Sequence, residues 1–187
     1  MSSFIDTIRE KGGRFLLRQQ LKKFKHQPTV YNLQSAATAG ILYDASESEN
    51  IAIVKALIKE LKVHQIRSQS LGYIHQNKRD DDFIGDNVYS FACKKDFSFF
   101  YKPKSESVDT FINTPFNLLF VLTKDNPFPI DYIGSLSHAA FKAGKANVNN
   151  DMLDIMIELK TDGDLKDLKN QIMHYLSILN TGNAQSA

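Results

Sequence analysis

Apolar residues recur along this chain with two different periods. The run Ala39-Gly-Ile-Leu-Tyr43 is short, continuous and apolar, and a polar stretch from Asp44 to Asn50 follows it. An apolar run bounded by turn residues predicts a buried strand. Ile51, Val54, Ile58 and Leu61 then recur at i, i+3, i+7 and i+10, the spacing of one helix face. Ser46 and Glu49 stand ahead of that helix at capping-box spacing. Ile66 to Ile74 reads as a second strand. Strand, helix, strand at this spacing is a βαβ unit and implies a parallel sheet.

Asn77 to Asp82 is a polar break, and Phe83 to Pro103 is rich in Phe and Tyr. Within that stretch Phe97 to Tyr101 predicts a strand. Phe116 to Leu122, FNLLFVL, carries the clearest strand pattern. Parallel strands covered on both faces read as continuous apolar runs, which puts Leu118, Leu119, Phe120 and Val121 in a central strand. A helix is expected from about Pro129, proline being favoured in a first turn. Phe141 to Ala146 and Ile155 to Leu159 predict two more strands. Leu165, Leu168, Ile172, Leu176 and Leu179 share a final helical stripe, with capping residues between Thr161 and Asp164. The fold class is therefore α/β: a doubly wound, mostly parallel sheet with helices on both faces, flavodoxin- or Rossmann-like. No internal repeat interrupts it.

Ahead of the first strand, residues 14–25, RFLLRQQLKKFK, predict a short amphipathic helix. Leu17, Leu21 and Phe24 form one stripe, and Arg14, Arg18, Lys22 and Lys25 form a basic stripe beside it. Gly12-Gly13 separates this helix from the residues before it, and Pro28 ends it. An isolated helix of this length is marginal in water, so it needs a surface to pack on. The expected organisation is a basic helical arm over 1–27, an α/β domain over 28–180 and a frayed tail over 181–187. Charge sharpens that division. Residues 1–27 carry seven basic and two acidic side chains, whereas the remainder carries 16 basic and 19 acidic ones.

Composition adds few constraints. Hydrophobic residues at 42% and charged residues at 24% match ordinary globular chains, so a packed core is expected rather than disorder. No window approaches the roughly 18 apolar residues of a membrane span. The first ten residues carry Asp6, Arg9 and Glu10, unlike a secretory signal. Cys93 is the only cysteine, which excludes an internal disulfide or a thiolate cluster. These points lead to the expectation of a cytoplasmic protein.

The segments AATAGILYDASESENIAIVKALIKELK, SLGYI, FFYKPKSESVDTFINTPFNLLFVL, PIDYIGSLSHAAFKAGK and IMIELKTDGDLKDLKNQIMHYLSIL resemble an uncharacterised family of short bacterial proteins found mainly in Bacteroidetes. The resemblance covers about the whole chain. It implies the α/β fold and a cytosolic location, and it carries over no functional residue. A looser similarity, a buried strand, a loop, a helix and then Ala-Phe-Lys-Ala-Gly, links the chain to half of a Rossmann-like glycosyltransferase. Those enzymes close two domains over a substrate, and this chain has room for one.

In open parallel sheets ligands sit outside the carboxyl ends of the strands. The ligand-edge candidates are accordingly Asp44, Ser46, Lys102, Lys124 and Asp125. The bland alternative for Asp44 and Ser46 is turn shaping and helix capping. The first strand–helix loop reads DASESEN, without the glycines a pyrophosphate loop needs and with carboxylates that repel phosphate. Neither a dinucleotide nor any other cofactor is implied. His26, His64, His75, His138 and His174 show no metal spacing, so no metal site is expected. His138 lies near Ser135 and Ser137, but no nucleophile elbow presents either serine. Cys93 reads as a small buried hydrophobe, and Asp80-Asp81-Asp82 as a solvated loop. No catalytic residue emerges.

The leading expectation is a non-catalytic binding or adaptor protein. Its basic arm, through Arg14, Arg18, Lys22 and Lys25, would engage an anionic macromolecule. RNA or the ribosome is preferred over a membrane surface, because the Leu17-Leu21-Phe24 stripe is narrow and lacks Trp; a protein partner is a further option. The alternative is a small-ligand-binding protein or enzyme with its site at the strand ends.

Overall fold

The computed structural model describes residues 4–77, 85–125, 127–146, 152–160 and 163–180. Its strands are β1 (Thr38–Asp44), β2 (Arg67–Ile74), β3 (Tyr89–Cys93), β4 (Leu118–Leu122), β5 (Phe141–Lys145) and β6 (Ile155–Ile157). All five pairings are parallel, in the order β3-β2-β1-β4-β5-β6. Of the two doubly wound orders expected, this is the one of dinucleotide-binding sheets and not that of flavodoxin. The winding reverses between β1 and β4.

Among the described residues five α-helices accompany the sheet: α1 (Phe4–Leu21), α2 (Ser48–Val63), α3 (Glu106–Asn113), α4 (Phe128–Leu136) and α5 (Leu165–Ile178). Successive strand residues point to opposite faces, and this sorts the core. Ile41, Tyr43, Phe120 and Leu122 pack with Val54, Leu57 and Leu61 of α2 and with Leu168, Ile172 and Leu176 of α5. Leu42, Leu71, Leu119 and Val121 pack with Val108 and Phe111 of α3 and with Ile130 and Ile133 of α4. All five residues of β4 are buried, as a strand covered on both faces requires.

Helix α1 forms a third layer on the outside of α4. Leu17 is buried with Phe128 and Tyr132, and Leu21 packs against them. The Tyr132 hydroxyl donates to Gln20 Oε1 at 3.0 Å. The helix also starts ten residues earlier than the pattern predicts and runs straight through Gly12-Gly13. A Cβ on Gly13 would stand 2.5 Å from a Phe128 ring carbon, and one on Gly12 would stand 2.4 Å from the Phe100 ring. The glycines therefore admit two aromatic rings against the helix backbone and do not break it. The helix ends at Leu21, four residues short of the expected end, and of the two expected roles for this segment, a free arm or a docked helix, residues 4–21 have the geometry of a docked helix.

Beyond α1 the chain is tied to the domain by its backbone. Thr29 N donates to Ala140 O and Leu33 N to Leu176 O. Asn117 Oδ1 accepts from Ala37 N, Thr38 N and Thr38 Oγ1, while Asn117 N donates back to Thr38 Oγ1. This knot clamps the starts of β1 and β4 together.

Two sequence expectations are corrected. Phe97 to Tyr101 is not a strand: Ser98 and Lys102 close a tight turn, Tyr101 adopts φ 62°, and Phe97 forms only an isolated bridge to Pro103. The third strand is instead Tyr89–Cys93, and α3 was not foreseen. The Ser46–Glu49 capping box does not form, because Glu47 precedes α2 without capping it and Ser46 Oγ accepts from His75 N. The expected cap on the last helix does form, with Asp164 and Asp167 reciprocating. Asp80-Asp81-Asp82 and the tail 181–187 lie outside the described residues.

Candidate functional site

A half-enclosed cleft of about 690 Å³ lies where the second half of α1 and residues 24–27 cross α4 and β5. Its apolar walls are Leu17, Leu21, Phe24 and Met152. Its charged and polar groups are Arg14, Arg18, Lys25, His26, Lys142, Asp131, Ser135 and Gln27. Local structure explains why charge gathers here. Leu17 and Leu21 turn one face of α1 onto α4, and the adjoining residues, one turn apart, then line the rim. Lys142 is the second residue of β5 and points to the α4 face. The cleft thus opens beside the amino-terminal end of β5, whereas open sheets commonly bind ligands at the carboxyl edge.

Lys142 is almost fully buried. Its Nζ donates to Gly134 O at 3.0 Å and lies 5.6 Å from the centre of the Phe24 ring. Gly134 is in the last turn of α4, where carbonyls favour a cation. Burial nevertheless lowers the Lys142 pKa to about 8, with Asp154 acting in the opposite direction. Asp154 holds the segment around Phe24 in place. Its carboxylate accepts from Lys142 N at 2.8 Å and contacts His26 Nε2 at 3.0 Å through both oxygens.

Asp131, also buried, faces the other end of the cleft. Burial raises its pKa to about 6; Arg14 pulls it down and Glu10 adds to the rise. Arg14 pairs chiefly with Glu10 at 2.7 Å, stands 3.9 Å from Asp131 and covers the Phe128 ring. Arg18 and Lys25 are exposed and form no ion pair among the described residues. At neutral pH the cleft therefore holds several cations against one reluctant carboxylate.

Three of the four basic-stripe residues, Arg14, Arg18 and Lys25, meet in this cleft, while Lys22 faces away from it. None of the ligand-edge candidates lines it. Asp44 Oδ1 accepts from Ser46 N at 2.9 Å, and Oδ2 lies 3.1 Å from His75 Nε2. Burial raises the Asp44 pKa, but those hydrogen bonds outweigh it and the net shift is downward. Asp44 and Ser46 thus shape the turn after β1 and hold His75. Lys124 follows β4, with its carbonyl accepting from Lys145 Nζ at 2.8 Å, and Asp125 stands next to it. Lys102 lies in the tight turn after Ser98 and not at a strand end. Ser135, Ser137 and His138 form no triad: Ser137 Oγ accepts from Ala139 N, and His138 stacks on Phe24. Cys93 is buried and free. Among the described residues no group of three or more His, Cys, Asp or Glu is placed to hold a metal ion, and no helix is long and apolar enough to cross a membrane.

Sequence reasoning missed Lys142 and Asp131. A lysine inside a parallel strand flanked by helix on both faces is itself anomalous, and that was the available signal. The pairings His26–Asp154 and His75–Asp44 span 128 and 31 residues, so spacing within the chain carries no trace of them.

Fold and cleft together define a doubly wound α/β protein of the dinucleotide-binding strand order that lacks a glycine-rich phosphate loop after β1. The chain belongs to DUF6913, a family of unknown function whose model matches residues 9–179, most of α1 included. No curated protein and no solved structure matches it.

Proposed function

We propose that this is a binding protein that receives an amphipathic anion, a carboxylate or phosphate monoester with an apolar tail, in the α1–α4 cleft. The observation carrying this reading is the pair Arg18 and Lys25: two exposed cations without a carboxylate partner among the described residues, on the rim of an apolar-walled cleft. A volume of about 690 Å³ matches small-molecule sites, which combine apolar walls with a few placed polar groups. Lys142, almost fully buried, and half-buried His26 also line the cleft, and a charge-assisted hydrogen bond is stronger the less water surrounds it.

Calorimetric titration with decanoate and with decyl phosphate tests this. Saturable binding to either is expected, and the double variant Arg18→Glu/Lys25→Glu should weaken it by at least about tenfold, one charge-assisted contact's worth. The melting temperature should not change, since both side chains are exposed. Absence of saturable binding to both probes rejects the reading.

A wider reading, in which the segment 1–27 engages an anionic macromolecule such as RNA or the ribosome, is favoured by Lys22 and Lys23. Both are exposed, lie outside the cleft and have no ion-pair partner among the described residues. A salt-dependent shift of labelled single-stranded RNA, lost in Lys22→Glu/Lys23→Glu, is its expected signature.

A further inference from the structure

The outer face of α1 is as informative as its docked face. Ile5, Ile8, Gly12 and Phe15 follow one another at helical spacing along it. Ile5 and Phe15 are each 61% exposed and Ile8 is 45% exposed. The gap at Gly12 is filled from outside by the Phe100 ring. Phe99 packs edge-on against Phe100 at 5.1 Å between ring centres, and the two are 52% and 40% exposed. Arg9 Nε donates to Phe99 O at 2.8 Å and fixes this turn onto the helix. Five large apolar side chains from two distant parts of the chain thus make one exposed patch. Clusters of this kind on a soluble surface mark an interaction site.

Its rim is basic. Lys11 and Arg18, two turns apart, lie along one side of the stripe, with Lys22, Lys23 and Lys25 following just past the end of α1. All five are exposed, and none has an ion-pair partner among the described residues. Of the two carboxylates on α1, Asp6 is half-buried and Glu10 pairs with Arg14.

We infer that this face docks onto an anionic lipid bilayer. Apolar residues on the outer arc of a surface helix, flanked by lysine and arginine, form the pattern of helices that lie in the membrane interface. The exposed rings are all phenylalanine, which has no polar group to satisfy in the acyl region. A second copy of this chain fits poorly, because an isologous contact would bring both basic rims together. The narrow Leu17-Leu21-Phe24 stripe, which by itself argues against a membrane, is the face turned onto α4; the outer face is the wider one.

Vesicle flotation tests the inference. The full chain should float with vesicles of equal phosphatidylcholine and phosphatidylglycerol and stay behind with phosphatidylcholine alone. Added salt should release it, because the headgroup attraction is screened. Phe15→Ser/Phe99→Ser should weaken partitioning by at least about tenfold. Lys11→Glu/Lys22→Glu should abolish it. None of these four residues lines the cleft, so decanoate titration of the same variants reports on the cleft separately. The docking surface can then fail while the cleft stands, or the reverse. No flotation of the folded chain on the mixed vesicles overturns the inference. So does flotation that the phenylalanine variant leaves unchanged, which would be electrostatic adsorption alone. Binding to polyuridylate without flotation also overturns it and makes the patch a nucleic-acid surface.

Discussion

Asp131 sits where burial and charge disagree. Its folded pKa of about 6, raised by burial from the ordinary 3.8 of an aspartate, means the folded chain keeps a proton that the unfolded chain releases between about pH 4 and 6. Stability from this group is fully present below about pH 4 and is lost as the pH rises through about 6. Asp131→Asn stays neutral, so in urea melts followed by circular dichroism it should exceed the parent by about 1–2 kcal/mol at neutral pH. The two curves should converge near pH 4. Anion affinity in the cleft should rise for the parent as the pH falls towards 6, and this pH dependence should be weaker in the variant. Lys142 presents the mirror case. Its pKa falls from 10.5 to about 8 through burial, so its cost to folding is relieved as the pH climbs from about 8 towards 10.5. Lys142→Met should lie within about 1 kcal/mol of the parent at pH 7, since an apolar replacement offsets the lost bond to Gly134 O. It should also flatten the rise above pH 8. Lys142 left one trace in the sequence, a lysine within an expected buried strand, whereas Asp131 left none, because a carboxylate near a helix start is ordinary on an exposed helix.

Helix α1 shows what periodicity does and does not reveal at the scale of elements. The stripe Leu17-Leu21-Phe24 was legible, and Leu17 is buried with Leu21 packed against its cluster. The continuity through Gly12-Gly13 was not legible, since it depends on Phe100 and Phe128, which arrive about a hundred residues later. Alanine is the better helix former by about 1 kcal/mol, yet Gly13→Ala should destabilise. Its Cβ would meet the Phe128 ring at 2.5 Å and the Phe100 carbonyl at 3.1 Å, and overpacking costs about 1–3 kcal/mol. A lower midpoint in urea is the expected result; a higher one would mean that the rings give way. Strand β4 was legible because helices cover both its faces and demand an unbroken apolar run. Strand β3 was not, because it lies at the sheet edge and is only partly buried, and because the aromatic run after it imitates a strand while turning back on itself. The eight-residue α3 is too short to establish a period.

For the molecule as a whole, the alternation of strand and helix was enough to give a doubly wound sheet, but the strand order came only with the structure. Patterning says which faces are buried and not which strands are neighbours. The third layer likewise depends on tertiary contact. Cutting the chain to begin at Thr29 uncovers Phe128 and Tyr132. That should lower the melting temperature by roughly 10 °C, given the loss of a buried leucine and its partners. An unchanged melt would show that α1 contributes only binding.

The knot between Thr38 and Asn117 also sets a timetable. Its partners are 79 residues apart, so during synthesis β1, α2 and β2 emerge well before β4 exists. For that interval β1 has one edge paired and the other open. The nascent chain therefore passes through a stage in which the open edge of β1 can accept any extended segment nearby, and loop closure of this length slows the step that ends it. Crowded translation at high temperature is where misassembly of this protein should begin, at the edge of β1 that Asn117 later closes.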